Sequence, residues 1–209
     1  VTSSRDRILG QIQHALGQRG PTPTPPSASR REPAPDLLAR FVERLTAVAG
    51  RCVRPDHEHD VAATIERELR NANARTIAFG GGAEMDALRS QLAARGFSTI
   101  ASDASTDEIA EADAGITEAQ WGVAETGTIA LDDRAMRARR ASLLPRLHIA
   151  VLDSRRMVAT LDDLFAAAHH GGRVPHALTL ITGPSRTADI ELQLVIGVHG
   201  PGELCVVLR

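Results

Sequence analysis

Between Ile181 and Val207 the chain reads ITGPSRTADIELQLVIGVHGPGELCVV, setting a serine, an arginine, a threonine, carboxylates and a histidine among short apolar runs broken by glycine and proline. Gly183 and Pro184 end one such run, and Ser185 or Thr187 could then cap a short helix. With Arg186 between them, that helix end would attract an anion. The alternative is that both hydroxyls only cap and that Arg186 pairs with Asp189 as an ordinary ion pair. His199 stands in GVHGPGE, a glycine-flanked loop after an apolar run, where an imidazole could titrate near neutral pH. Glu125 lies in the turn AETGT, and Glu191 follows the serine–arginine loop. If His199, Glu125 and Glu191 converge they form an acid–base group beside an anion site. A solvated loop histidine is the competing reading.

Further groups could bind a ligand. Gly80, Gly81 and Gly82 follow the strand-like RTIAF and precede the helical AEMDALRSQLAARG, so their backbone amides and the helix N-terminus could cradle a phosphate. The triplet is not a full dinucleotide fingerprint, and a tight turn without a ligand explains it as well. Arg134, Arg137, Arg139, Arg140 and Arg146 crowd beside SLLP, forming either a solvated face or a clamp for a carboxylate or a CoA phosphate. DHEHD at 56–60 and the His169–His170 pair lack zinc spacing, so no metal site is expected.

Composition narrows the chemistry. All 24 basic residues are arginine, which excludes Schiff bases, serine–lysine dyads and a Walker-type lysine. Arginine leaves bidentate recognition of carboxylates and phosphates. A net charge of −2 and 2% aromatic residues argue against a nucleic-acid partner. Cys52 and Cys205 are the only cysteines, too few for a four-thiolate cluster or zinc site, and the simplest setting for them is reduced and cytoplasmic. No apolar run approaches the ~20 residues of a membrane span, and charged residues occupy the place of a signal-peptide core.

These groups need a scaffold. Residues 4–18 carry Ile8, Ile12 and Leu16 at helical spacing, with Ser3 and Asp6 resembling a capping box. A proline-rich linker follows over 20–35, so the first helix (1–19) is expected to be an arm that packs on a partner subunit or on the body at 36–209. In the body, Asp36 is the expected N-cap of a helix with Leu38, Phe41, Val42, Leu45 and Val48 on one face. Val61, Ile65 and Leu69 mark a second helix. LHIAVLD, LTLIT, LQLVI and LCVVL read as strands, and GITEAQWGVAETGTIALDD as strands about a turn at Thr126–Gly127. Strands alternating with helices predict an α/β fold: a three-layer αβα domain with a mixed, mostly parallel sheet.

WGVAETGTIAL, RRASLLPRLHIAVLD and ITGPSRTADIELQLVIGVHGPGEL stand in an order that resembles the lactate utilization protein C-like family, the LUD domain. The resemblance covers about residues 36–209. It implies a fold of the NagB/RpiA/CoA transferase-like superfamily and a role in converting L-lactate to pyruvate, with partner proteins that carry iron–sulfur clusters. The family pattern falls on Glu125, Thr126 and Gly127, on Arg139 and Ser142, on Gly183, Ser185, Arg186, Thr187, Asp189 and Glu191, and on Val198, His199, Gly200 and Pro201. Cys205 stands where relatives often have histidine. The expected function is a subunit of an L-lactate-oxidising system that binds a small carboxylate. The alternatives are a non-catalytic module for an anionic metabolite or CoA ester, and a transferase or isomerase that uses Glu125 as nucleophile or base. A homo-oligomer is compatible with each.

Overall fold

The structure is a computed structural model that describes residues 4–17, 36–55, 60–132, 138–169, 175, 177–188, 194–196 and 200–209. The chain divides into two units, Val1–Pro33 and Ala34–Arg209. In the first, helix α1 (Ser4–Gly17) leaves Ile8, Leu9 and Ile12 exposed. The proline-rich stretch lies outside the described residues.

The second unit is built on six parallel strands in the order β1 (Arg51–Val53), β12 (Glu203–Leu208), β7 (Leu147–Leu152), β4 (Ala114–Ala119), β2 (Thr76–Phe79) and β3 (Ser98–Ile100). β7 and β4 are buried along almost their whole length, as near-continuous apolar strands in a parallel sheet should be. One face packs against α3 (Val61–Asn71) and α4 (Ala83–Ala94), with Ile65, Leu69, Met85 and Leu92 set on Ile77, Ile116, Ile149 and Val207. The other face carries α2 (Leu37–Ala47), α5 (Thr106–Ala110) and α6 (Ala138–Leu143). The α/β architecture read from the alternating pattern is therefore present, in layers on both sides of a parallel sheet.

Two antiparallel pairs sit apart, in a second sheet ordered β8 (Met157–Val158), β5 (Trp121–Val123), β6 (Thr128–Asp132) and β9 (Leu178–Ile181), in which β8 runs parallel to β5. β5 and β6 form the expected hairpin about Ala124–Gly127, and β6 also pairs antiparallel with β9. This sheet closes over α2, whose Phe41 and Leu45 meet Ile129 and Leu131. Asp36 caps α2 as its sequence position predicts, accepting from the Leu38 and Ala39 amides at 3.1 and 3.0 Å. Helix α7 (Leu161–Ala168) completes the cover, its Leu164 buried against Val123 and Ala130.

One local expectation is overturned. Arg186–Ala188 is not a helix start but a strand, β10, paired antiparallel with β11 (Leu194–Ile196). Thr187 favours the extended state, and pairing with a segment some eight residues on outweighs the weak helix-start signal of Ser185. Among the described residues no helix starts at Ser185 or Thr187.

Candidate functional site

Two strand connections and one short helix meet beside β7. The loop Thr182–Ser185 after β9 and the loop at Gly200–Pro201 before β12 are tied by Ser185 N–H donating to the Pro201 carbonyl at 2.8 Å. From the sheet side α6 brings in Ser142, whose hydroxyl donates to the Arg139 carbonyl at 2.9 Å. α6 can approach only because residue 115 on β4 is glycine: a Cβ there would stand on the Ala141 carbonyl oxygen. Together these parts line an open cavity of about 230 Å³, with Ser142, His148, Thr179, Thr182 and Ser185 as its polar lining and Leu143, Leu180, Ile181 and Leu204 among its apolar walls. It is smaller than the ~300–1,000 Å³ typical of drug-sized ligands and suits a metabolite of few heavy atoms.

His148 forms part of this lining. The residue is 1% exposed, Nε2 lies 2.8 Å from Thr117 Oγ1, and Nδ1 has no hydrogen-bond partner among the described residues. Burial pushes the imidazole down to about 3, so it is neutral at physiological pH. On the opposite wall, Thr182 Oγ1 and Thr128 Oγ1 are 2.6 Å apart, and Thr128 meets Thr126 Oγ1 at 2.6 Å. A chain of hydroxyls thus runs from the ETGT turn to the cavity.

The structure brings together Ser142 of one motif with Gly183, Ser185, Gly200 and Pro201 of another, and links Thr126 of the third to them through hydroxyls. It does not bring Glu125, which is exposed at the hairpin turn and outside the cavity lining. Gly127 and Gly183 adopt positive φ, 68° and 84°, and lie close against α2: a Cβ at Gly127 would meet the Leu45 amide, and one at Gly183 the Val48 carbonyl at 2.7 Å. Close packing accounts for both. Arg139 is exposed on α6, whereas its neighbour Arg140 donates to the carbonyls of Ala104 and Ser102. Arg146 likewise donates to the Ala72 carbonyl, so these two are structural clamps. For Arg186 and Thr187 only the strand placement is described; Asp189, Glu191, Val198 and His199 lie outside the described residues.

The glycine triplet opens on a different cleft. Gly80 spends its amide on the Ile116 carbonyl at 2.8 Å. Gly81 and Gly82 line a cleft of about 380 Å³ with Glu118, Gln120, Trp121, Asp132 and Arg156. It lies where chain connections leave β2 and β4 in opposite directions, a topological switch point. Arg209 pairs with Glu84 beside it and holds that carboxyl below its usual range. Glu118 is pushed up, first by burial and then by the neighbouring Glu84 charge. With two carboxyls at its rim this cleft is a poor phosphate cradle.

Sequence reasoning missed His148 and Thr117. The available signal was a histidine inside an otherwise apolar strand, LHIAVL, in a sheet covered on both faces; such a residue must find a partner or a ligand.

The LUD domain family model matches residues 38–208, and the chain belongs to this family. Among curated proteins, "Lactate utilization protein C" of Deinococcus radiodurans is 33% identical over 218 residues, covering 100% of this chain and 92% of that one. The protein of the same name from Geobacillus kaustophilus is 29% identical over 228 residues, covering 95% and 92%. That of Shouchella clausii is 41% identical over 103 residues, a match spanning 46% of this chain and 44% of the relative's length, less than half of each. The crystal structure of a DUF162 family protein from Deinococcus radiodurans superposes with a TM-score of 0.57 at 26% identity, over 82% of this chain and 95% of that one.

Proposed function

We propose that this protein serves lactate utilization as a subunit of a system that oxidises L-lactate to pyruvate, and that the cavity beside His148 holds the small acid. The observation that carries the reading is the match along nearly the whole length of a relative named for lactate utilization. Supporting it, residues from two of the quoted motifs, some forty residues apart in the chain, converge on one small cavity. Arg186 follows Ser185 directly and supplies the cation for the carboxylate, with Thr187 and Asp189 next along the chain. His199 directly precedes Gly200 of the cavity lining and is the proton acceptor, with Glu191 as its electrostatic partner.

Removing two electrons and two protons from lactate needs an oxidant. Burial raises the thiols of Cys52 and Cys205 to about 11 and about 12, and the two lie on opposite faces of the sheet, so neither is suited to redox work. In this reading the electrons pass to partner proteins that carry iron–sulfur clusters. The test is lactate-dependent dye reduction by the chain alone, by its genomic neighbours alone, and by the mixture. Activity confined to the mixture and lowered at least ~100-fold by Arg186→Ala is expected, since the variant loses a charge-assisted pair. Full activity of the neighbours without this chain would overturn the subunit role, and an unchanged Arg186→Ala would overturn the clamp.

A further inference from the structure

Burying a histidine with one ring nitrogen unpaired is costly, because the desolvated atom recovers nothing for the water it gave up. In His148 the unpaired atom is Nδ1; the other nitrogen is held by Thr117, a residue that does not line the cavity, whereas His148 does. Two other polar groups of the cavity already have a partner each: Ser142 donates to a backbone carbonyl and Thr182 is bonded to Thr128. We infer that His148 is the specificity residue of this cavity, its Nδ1 hydrogen-bonding the hydroxyl or carbonyl oxygen at C2 of a short acid whose alkyl end lies on Leu143, Leu180, Ile181 and Leu204. This rests on the proposed reading that the cavity is the acid's site.

Thr117 is the positioning residue. A hydroxyl can donate or accept, so it stabilises either neutral tautomer of the ring. With the proton on Nε2 donated to Thr117, Nδ1 is a bare acceptor and matches a ligand hydroxyl. With Thr117 donating to Nε2, Nδ1 carries the proton and matches a ligand carbonyl. One ring therefore accommodates both a 2-hydroxy acid and the corresponding 2-oxo acid while rejecting the analogue with no C2 oxygen, which leaves Nδ1 unpaired.

The experiment is calorimetric titration of the full chain with L-lactate, pyruvate and propionate, in wild type, His148→Gln, His148→Asn and Thr117→Val, with histidine ¹⁵N spectra of the wild type in parallel. Glutamine keeps a polar atom at the Nε2 position and none at Nδ1; asparagine does the reverse. The wild type is expected to prefer lactate or pyruvate over propionate by roughly ten- to a hundredfold, the cost of an unpaired buried group. H148Q should reduce that preference to within about threefold, H148N should keep most of it, and Thr117→Val should fall between them. In the wild type the Nδ1 resonance should move with lactate or pyruvate and not with propionate. An undiminished preference in H148Q, or binding that leaves the His148 nitrogens unmoved, overturns the role of His148 and leaves the cavity reading standing. If H148Q does not fold, the wild-type spectra decide. If none of the acids binds the wild type, cavity reading and inference fall together.

Discussion

His148 enters the folded state uncharged, and this has a thermodynamic signature separate from any ligand. Its native value of about 3 lies below the ordinary 6.5 expected for it in the unfolded chain. Between those two values the unfolded chain binds a proton that the native chain refuses, so stability falls as pH is lowered through that window. The limiting slope for one such proton is about 1.4 kcal/mol per pH unit. Between pH 6 and 5 most carboxylates are still ionised, so the histidine dominates its share of the slope there. Urea unfolding across that interval should show a pH dependence in the wild type that drops by close to one proton in His148→Gln. An unchanged slope would mean that the ring is protonated in the native state. This residue was legible only as an anomaly, since whether a polar group in a buried strand faces a partner or a cavity depends on the neighbouring strand, here through Thr117.

At the scale of elements, close approach rather than ligand contact explains several glycines. Gly115 lets α6 close on β4, and with it Ser142 reach the cavity; Gly127 and Gly183 let the hairpin turn and the β9 loop close on α2. Gly82, by contrast, has a φ of 124° but open space around the position of a Cβ. Gly115→Ala is therefore expected to cost at least about 2–3 kcal/mol through a backbone clash, against about 1–2 kcal/mol for Gly82→Ala, where only backbone strain is added. Equilibrium urea denaturation of the two variants checks the order, and a smaller loss at Gly115 would show that α6 can move away. The helices α2, α3 and α4 and the strands LHIAVL and ELCVVL were readable because their apolar spacing is local. β10 was misread as a helix start because its extended state depends on pairing with β11. The close packing of the glycines at 127 and 183 was not readable because their packing partner, α2, lies some 80 to 140 residues away in the chain.

For the whole molecule, the β6–β9 pairing, which joins residues about fifty apart, carries Thr182 to the hairpin hydroxyls and sets the second sheet beside the parallel one. The α/β class followed from the alternation of elements, but this arrangement did not, because non-local pairing leaves no trace in periodicity. It leaves the small, largely apolar cavity at His148 separate from the switch-point cleft with Glu118, Trp121 and Arg156. Among the described residues no helix is long and apolar enough to cross a membrane. The central claim is that the small acid occupies the first cavity. Titration of L-lactate and pyruvate against the wild type, Ser185→Leu, which fills that cavity, and Trp121→Ala, which opens the other, tests it most directly. Saturable binding in the wild type and Trp121→Ala, weakened at least about tenfold in a folded Ser185→Leu, is the predicted result; binding retained in Ser185→Leu and lost in Trp121→Ala would contradict it.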